Sequence, residues 1–258
     1  MKKKIAFQFI VVLLFFLGTL LVLLPFLKTA LISYQIETTV IHQTNSIPNN
    51  IEEKREWIQP PTLGDVLKSF TVDSNFSSVG RVVVPEVEIN TPVFNELTNE
   101  NLLVGSGVMF PDRDPEKENM VLVGHHLSDK GLLFGSLSTV KIGSPIYLEY
   151  LNNYYYYVID EVINVKDTAV EVMDNRGKAE ITLITCDKPS YTDRRVVVKG
   201  HLMDNKTDMQ IHKQIETAQT KRIGYQKKSL VFFNEFKLII LITVFVLFLS
   251  TYMVRKFI

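Results

Sequence analysis

The chain has 258 residues, with 28 Lys and Arg against 28 Asp and Glu and a formal net charge of zero. That balance leaves no electrostatic footprint for nucleic acid or another polyanion. A single cysteine excludes an internal disulfide and any multi-cysteine metal centre.

Lys2, Lys3 and Lys4 precede Phe9 to Leu27, 19 residues without a charge. At about 1.5 Å per residue such a run spans a bilayer core of about 30 Å. The basic start holds the N-terminus in the cytoplasm and sends the following chain outward. A cleaved signal has an apolar region of only about 7 to 15 residues and a small-residue cleavage site. This run is longer and continues into Lys28-Thr-Ala-Leu-Ile-Ser-Tyr34 without an Ala-x-Ala pattern. An uncleaved anchor over 5–27 is therefore expected, behind a cytoplasmic 1–4. Pro25, near the outer end, is tolerable because freed backbone groups there reach water or headgroups.

Gln35 to Lys54 is polar and reads as a spacer, within an extracellular linker over 28–61. Thr62 then caps a short helix ending near Phe70. From Val79 the pattern becomes β, with strands expected near 81–85, 88–94, 119–124, 145–151, 154–165, 179–186 and 195–202. Asn152-Asn153 suits a two-residue hairpin turn, since Asn tolerates positive φ. Thr98 to Val104 and Leu132 to Leu137 read as short helices or turns. Alternation puts two of the tyrosines Tyr154 to Tyr157 on each face, which points to packing. Short strands separated by turn signals make an all-β dominated barrel or sandwich. Met203 to Lys228 is strongly polar and reads as a helix or stalk, within a stalk over 204–237. A second apolar run, Leu238 to Val254, covers about 25 Å, near the short limit for a span. Arg255 and Lys256 follow it, so a hairpin topology with both termini inside is expected, with a cytoplasmic tail over 255–258. The alternative is a buried or amphipathic helix.

Cys186 ends the run Ile181-Thr-Leu-Ile-Thr-Cys186. A lone cysteine is often a small buried hydrophobe. This one stands where an apolar strand gives way to a polar loop, with Arg194 and Arg195 opening the next strand. A strand end beside a guanidinium is the electropositive, partly exposed setting that favours thiolate. Of the five histidines, His42 and His212 lie in polar flanks and His201 follows a strand. His125 and His126 close the strand Asn119-Met-Val-Leu-Val-Gly124, as Cys186 closes its own. Successive strand residues face opposite ways, so only one of Arg194 and Arg195 shares the cysteine's face. A zinc site from His125, His126 and Cys186 matches no common ligand spacing.

Gly124-His125-His126, Thr182-Leu-Ile-Thr-Cys186 and Arg195 before Val-Val-Val-Lys-Gly200, in that order, resemble the sortases over about Gly80 to Leu202. These are the cysteine transpeptidases that anchor proteins to the cell wall of Gram-positive bacteria. The resemblance implies an eight-stranded sortase-type β-barrel with short helices, here over 62–203, flanked by transmembrane helices and lying outside the cell. It implies Cys186 as nucleophile, His125 as general acid and base, and Arg195 as donor to the oxyanion, with Arg194 the competitor and His126 shaping the site. The expected substrate is a surface protein with a C-terminal sorting signal of Leu-Pro-x-Thr-Gly type, cut between Thr and Gly. The expected acceptor is the amine of a lipid II-like peptidoglycan precursor. The loop Lys166 to Lys178 corresponds to one that covers the peptide groove, which makes Val170 and Val172 candidate substrate contacts, together with Thr185. No cofactor or metal is expected. Some relatives bind calcium near this loop, and Glu171 and Asp174 are available, but no full ligand set aligns. Residues 28–80 lack an Asp-Pro-aromatic lid, and the loop from Asp187 to Arg194 resembles the class A anchoring type. The second apolar run fits the runner-up, a pilin-polymerising class C enzyme. A non-catalytic surface module on the same fold is the reading from another class.

Overall fold

The computed structural model describes residues 2–46, 60–71, 76–127 and 132–221, with the single positions Leu241, Val244, Phe248 and Tyr252. The chain divides into two compact units, one of which is Thr29–Arg222. Among the described residues the strands are β1 (Ile41–Gln43), β2 (Phe76–Val84), β3 (Ile89–Phe94), β4 (Ser106–Val108), β5 (Asn119–Gly124), β6 (Pro145–Tyr150), β7 (Asn153–Lys166), β8 (Glu180–Cys186) and β9 (Arg194–Leu202). The helices are α1 (Lys2–Thr38), α2 (Leu63–Ser69), α3 (Asn99–Val104) and α4 (208–221).

Eight of these strands close on themselves in the order β2-β3-β4-β5-β8-β9-β7-β6, and β6 pairs back to β2. Closure removes the unpaired edges that an open sheet would present. It depends on Gly80, where a Cβ would lie 1.8 Å from the Glu149 carbonyl oxygen. Alternation fills the interior. Val82, Ile89, Met120, Leu122, Ile146, Leu148, Tyr157, Ile181, Leu183 and Val198 form the buried core, with Phe134 closing it from a loop.

The tyrosine run divides as alternation requires. Tyr155 and Tyr157 enter the core, while Tyr154 and Tyr156 face outward under Ile211 and Ile215 of α4. The polar stretch after Leu202 is thus in part a helix seated on the barrel. The β6–β7 turn falls one residue earlier than expected. Leu151 and Asn152 take φ of 49° and 65°, and Tyr150 pairs with Asn153. The inward set Ile146, Leu148, Tyr155 and Tyr157 sets this register, and Leu151 packs on the core while accepting positive φ.

The stretch expected as a spacer is structured as far as β1. Ile32 and Ile36, four residues apart on one helix face, are buried with Val66, Phe76, Phe94, Leu103 and Leu133. The Ser69 hydroxyl donates to Gln35 Oε1 at 2.8 Å, and both residues are buried. β1 pairs in parallel with the start of β2, and Gln43 Nε2 donates to Glu149 Oε1 at 2.6 Å. Thr62 caps α2 in a reciprocal box with Asp65.

Among the described residues no single helix is long and apolar enough to cross a membrane. The stretches Ile10–Leu24 and Leu27–Ile36 meet that test together as a bent pair. The break lies between Leu24 and Leu27, where Pro25 has no N–H to donate to the helix. The second apolar run, 238–254, lies outside the described residues apart from four helical, exposed positions, Leu241, Val244, Phe248 and Tyr252.

Ile32→Ala should lower the unfolding free energy of the barrel unit by about 2–5 kcal/mol, because it opens a cavity under Phe76 and Phe94. Denaturant unfolding of the full chain in detergent measures it. An unchanged midpoint would show that the end of α1 does not belong to the folded unit.

Candidate active site

Strand pairing builds the site. β5 and β8 run in parallel with Val123 opposite Ile184, and β8 and β9 run antiparallel with Cys186 opposite Arg195. Val121, Val123, Ile184 and Val197 lie together on the outer face, away from the core positions Met120, Leu122, Leu183 and Val198. Stepping two residues along the same face places Cys186 after Ile184 and Arg195 before Val197. Extended by two residues, the β5–β8 register brings His125 level with Cys186. Cys186 and Arg195 thus face each other on two neighbouring strands at one end of the barrel, and His125 follows directly on the end of the third. Arg194 is exposed on the opposite face, opposite Lys166 of β7.

His125 is 3% exposed. It follows Gly124, where a Cβ would meet the Phe134 ring at 2.8 Å. Nearby, the capping hydrogen bonds from Thr62 hold the Asp65 carboxyl below its ordinary range, helped by the charges of Lys68 and His125. His126 has a different task. Its Nδ1 lies 2.7 Å from the Cys186 carbonyl oxygen. A carbonyl only accepts, so Nδ1 carries the proton and donates it. This bond ties the end of β5 to the end of β8, and His126 also bridges to Leu133.

Cys186 is half-buried, and burial pushes its thiol up from the ordinary value. The Arg195 guanidinium pulls it down, while Asp187 and Asp167 add to the upward push. The expected preference for thiolate is therefore reversed, since desolvation of the anion outweighs one neighbouring cation. Arg195 is itself fixed. Its Nη1 donates to the carbonyls of Thr192 at 2.9 Å and Arg194 at 3.0 Å, and its Nη2 lies 3.7 Å from Asp167. Nη1 is spent on the backbone, which leaves the Nε and Nη2 hydrogens for another acceptor.

The expected peptide contacts separate. Val172 is 8% exposed and packs on the outer apolar face, whereas Val170, in the same 3-10 turn (Val170–Met173), is 61% exposed. Thr185 is turned by alternation to the face opposite Cys186 and is 2% exposed, so it does not line the outer face. Its hydroxyl has no hydrogen-bond partner among the described residues. Leu97 before α3, Leu102 within it, and Met109 and Phe110 after β4 complete the apolar surface beside Cys186 and Arg195. Spacing alone did not mark them, because they come from short or irregular segments. Among the described residues no group of three or more His, Cys, Asp or Glu is gathered to hold a metal ion.

His125, Cys186 and Arg195 lie inside a segment that matches the Sortase domain profile over residues 82–203. Sortase A of Listeria monocytogenes is 36% identical over 208 residues, which cover 78% of this chain and 91% of that protein. Sortase A of Bacillus anthracis is 32% identical over 213 residues, covering 80% and 99% respectively. The crystal structure of Listeria monocytogenes sortase A superposes with a TM-score of 0.48 at 43% identity, covering 49% of this chain and 88% of that one. Sequence identity at this coverage, on a chain whose β8–β9 register sets a cysteine opposite an arginine and whose β5 leads directly into a histidine, makes it a member of the sortase family of cysteine transpeptidases.

Proposed function

We propose that the protein is a class A-like, membrane-anchored sortase. It cleaves a Leu-Pro-x-Thr-Gly-type signal between Thr and Gly and joins the carboxyl end of the protein to a cell-wall precursor amine. The row of His125, Cys186 and Arg195 carries the reading.

Cys186 passes its thiol proton to His125 and, as thiolate, attacks the threonine carbonyl carbon, and the C–O π pair moves onto oxygen. The Nε and Nη2 hydrogens of Arg195, which the Thr192 and Arg194 carbonyls do not take, donate to that oxyanion with a charge that does not depend on pH. Collapse breaks the Thr–Gly C–N bond. His125, as imidazolium, protonates the leaving glycine amine. The thioacyl enzyme remains, and His125, now neutral, takes a proton from the incoming amine as that amine attacks. His126 acts through the backbone, holding the nucleophile's strand end. Val170 and the outer apolar face receive the leucine and proline of the signal.

The apolar run Phe9–Leu27 behind three lysines supports an anchor with the barrel outside the cell and surface proteins as clients. The run 238–254 favours a second reading, a pilin polymerase, in which the acceptor amine is a pilin lysine. Competition between a peptidoglycan-stem amine and a lysine-bearing pilin peptide separates the two. Preferential transfer to the pilin peptide would replace the anchoring role.

Mass spectrometry of reactions with a Leu-Pro-x-Thr-Gly peptide and an amine should show the amide product for the wild type and none for folded Cys186→Ala or His125→Ala. His126→Ala should keep substantial turnover. If the two histidine variants exchange behaviours, the roles of His125 and His126 exchange too. Arg195→Lys keeps the charge but loses the planar fork. It should lower kcat/KM at least about tenfold, worth about 1.4 kcal/mol, while Arg194→Lys should do little. Equal, near-normal kinetics for both would remove arginine from the oxyanion contact.

The thiol should also report its surroundings. Because burial raises it, iodoacetamide alkylation of Cys186 should keep accelerating above pH about 8.5, where an ordinary thiol is half ionised. Arg195→Met removes the charge that favours thiolate and should move the midpoint higher still. A wild-type midpoint below neutrality would contradict the electrostatics of the row.

A further inference from the structure

The loop between β4 and β5 carries an arginine that the mechanism does not use. Arg113 is part-buried, and its Nη1 donates to the Asn119 carbonyl at 3.0 Å and to the Met173 carbonyl at 2.8 Å. Its guanidinium carbon lies 3.8 Å from the centre of the Phe110 ring, a cation–π distance. One side chain thus joins the first residue of β5 to the last residue of the 3-10 turn Val170–Met173.

Neighbouring bonds reinforce the same seam. Asn119 Nδ2 donates to the Asp174 carbonyl at 3.2 Å, and its Oδ1 accepts from the buried Thr182 hydroxyl at 2.8 Å. Asn175 donates to Glu118, whose other oxygen accepts from the Asp114 N–H at 2.7 Å. The turn is therefore pinned at its Met173 end, while Val170 at its other end is 61% exposed. Burial pulls the Arg113 guanidinium below its ordinary range, opposed by Glu118 and Asp174. An arginine still stays charged at any pH the protein meets.

We propose that Arg113 is a positioning residue for substrate binding: it pins the Met173 end of the turn, which seats Val172 on the apolar face and presents Val170 to the peptide. The inference rests on the reading of that face as the peptide groove. Arginine suits the task because two carbonyls from distant segments must be met at once by donors fixed in one plane. Lysine offers a point charge without that fork. The residue touches no reacting atom and acts through the turn, so its effect belongs in ground-state binding of the peptide.

The test compares Arg113→Met, which keeps a chain over Phe110 but removes every donor, with Arg113→Lys. Four readouts are taken on the full chain in detergent: kcat and KM for a Leu-Pro-x-Thr-Gly peptide, the iodoacetamide rate of Cys186, amide hydrogen exchange over 170–175, and Tm. Arg113→Met should raise KM about tenfold with kcat within about twofold, because a displaced wall weakens binding more than it disturbs the reacting groups. Exchange over 170–175 should quicken while that of β8 and the alkylation rate stay unchanged, and Arg113→Lys should fall between. Unchanged KM with unchanged exchange overturns the proposal. So does an equal fall in kcat with a large loss of Tm, which marks a general structural role. If the wild type turns over no such peptide, the groove reading fails, and the exchange over 170–175 alone then supports or overturns the pin.

Discussion

The register between three strands is the constraint on which the site depends. β5 and β8 pair in parallel through five consecutive residues, and β8 and β9 pair through seven, ending on Cys186 opposite Arg195. Side chains alternate along a strand with a period of two, so a slip of one residue in either pairing would carry one member of the row to the barrel interior. The interior prevents the slip. Met120, Leu122, Ile181, Leu183, Val196 and Val198 are 4% exposed or less, and no shifted pairing keeps them all inside. The barrel core and the outer row are two faces of the same pairing. That is why the strands themselves set Cys186 against Arg195, with His125 at the first position after β5.

On that frame the row is in electrostatic tension. Burial disfavours the Cys186 anion, the guanidinium of Arg195 favours it, and Asp167 and Asp187 take the side of burial. A thiol held mostly protonated in the resting protein is protected from incidental oxidation and alkylation, since the thiolate is the reactive form. Arg195 cannot turn away to relieve the tension, because the Thr192 and Arg194 carbonyls hold its Nη1. His126 holds the backbone of Cys186 from the other side. The groups around the cysteine are thus fixed before any substrate arrives, which is the condition for electrostatic stabilisation at low reorganisation cost.

Much of this was legible in the residues. Short β-rich runs bounded by turn signals marked seven strands, and the ends of two of them marked the histidine and the cysteine, because strands buried on both faces read as near-continuous apolar runs. β4 was missed since Ser106-Gly107-Val108 is too short to show a period, and β1, Ile41–Gln43, is shorter than the runs that reveal one. The turn at Leu151 was misplaced by a residue because core packing, rather than the turn propensity of Asn, decides the register. The polar stretch Gln35 to Lys54 suggested a spacer, but within it Gln35 and Gln43 each have a specific partner, Ser69 and Glu149, that only the fold brings near. Thr185 beside Cys186 was expected as a substrate contact, and only the assembled barrel puts it, 2% exposed, on the face opposite Cys186. The thiol's upward shift was not legible either, as burial is a property of the assembled face.

The central claim is that Cys186 is the nucleophile of a row set by strand register, and its covalent intermediate tests that most directly. A Leu-Pro-x-Thr-Gly peptide is added without an amine, the reaction is quenched in acid, and peptide mapping locates the adduct. The account predicts a hydroxylamine-labile mass on Cys186 equal to the peptide up to and including threonine, less one water. Cleavage between Thr and Gly with the adduct on another residue, or with no adduct in wild type while Cys186→Ala still cleaves, would contradict it.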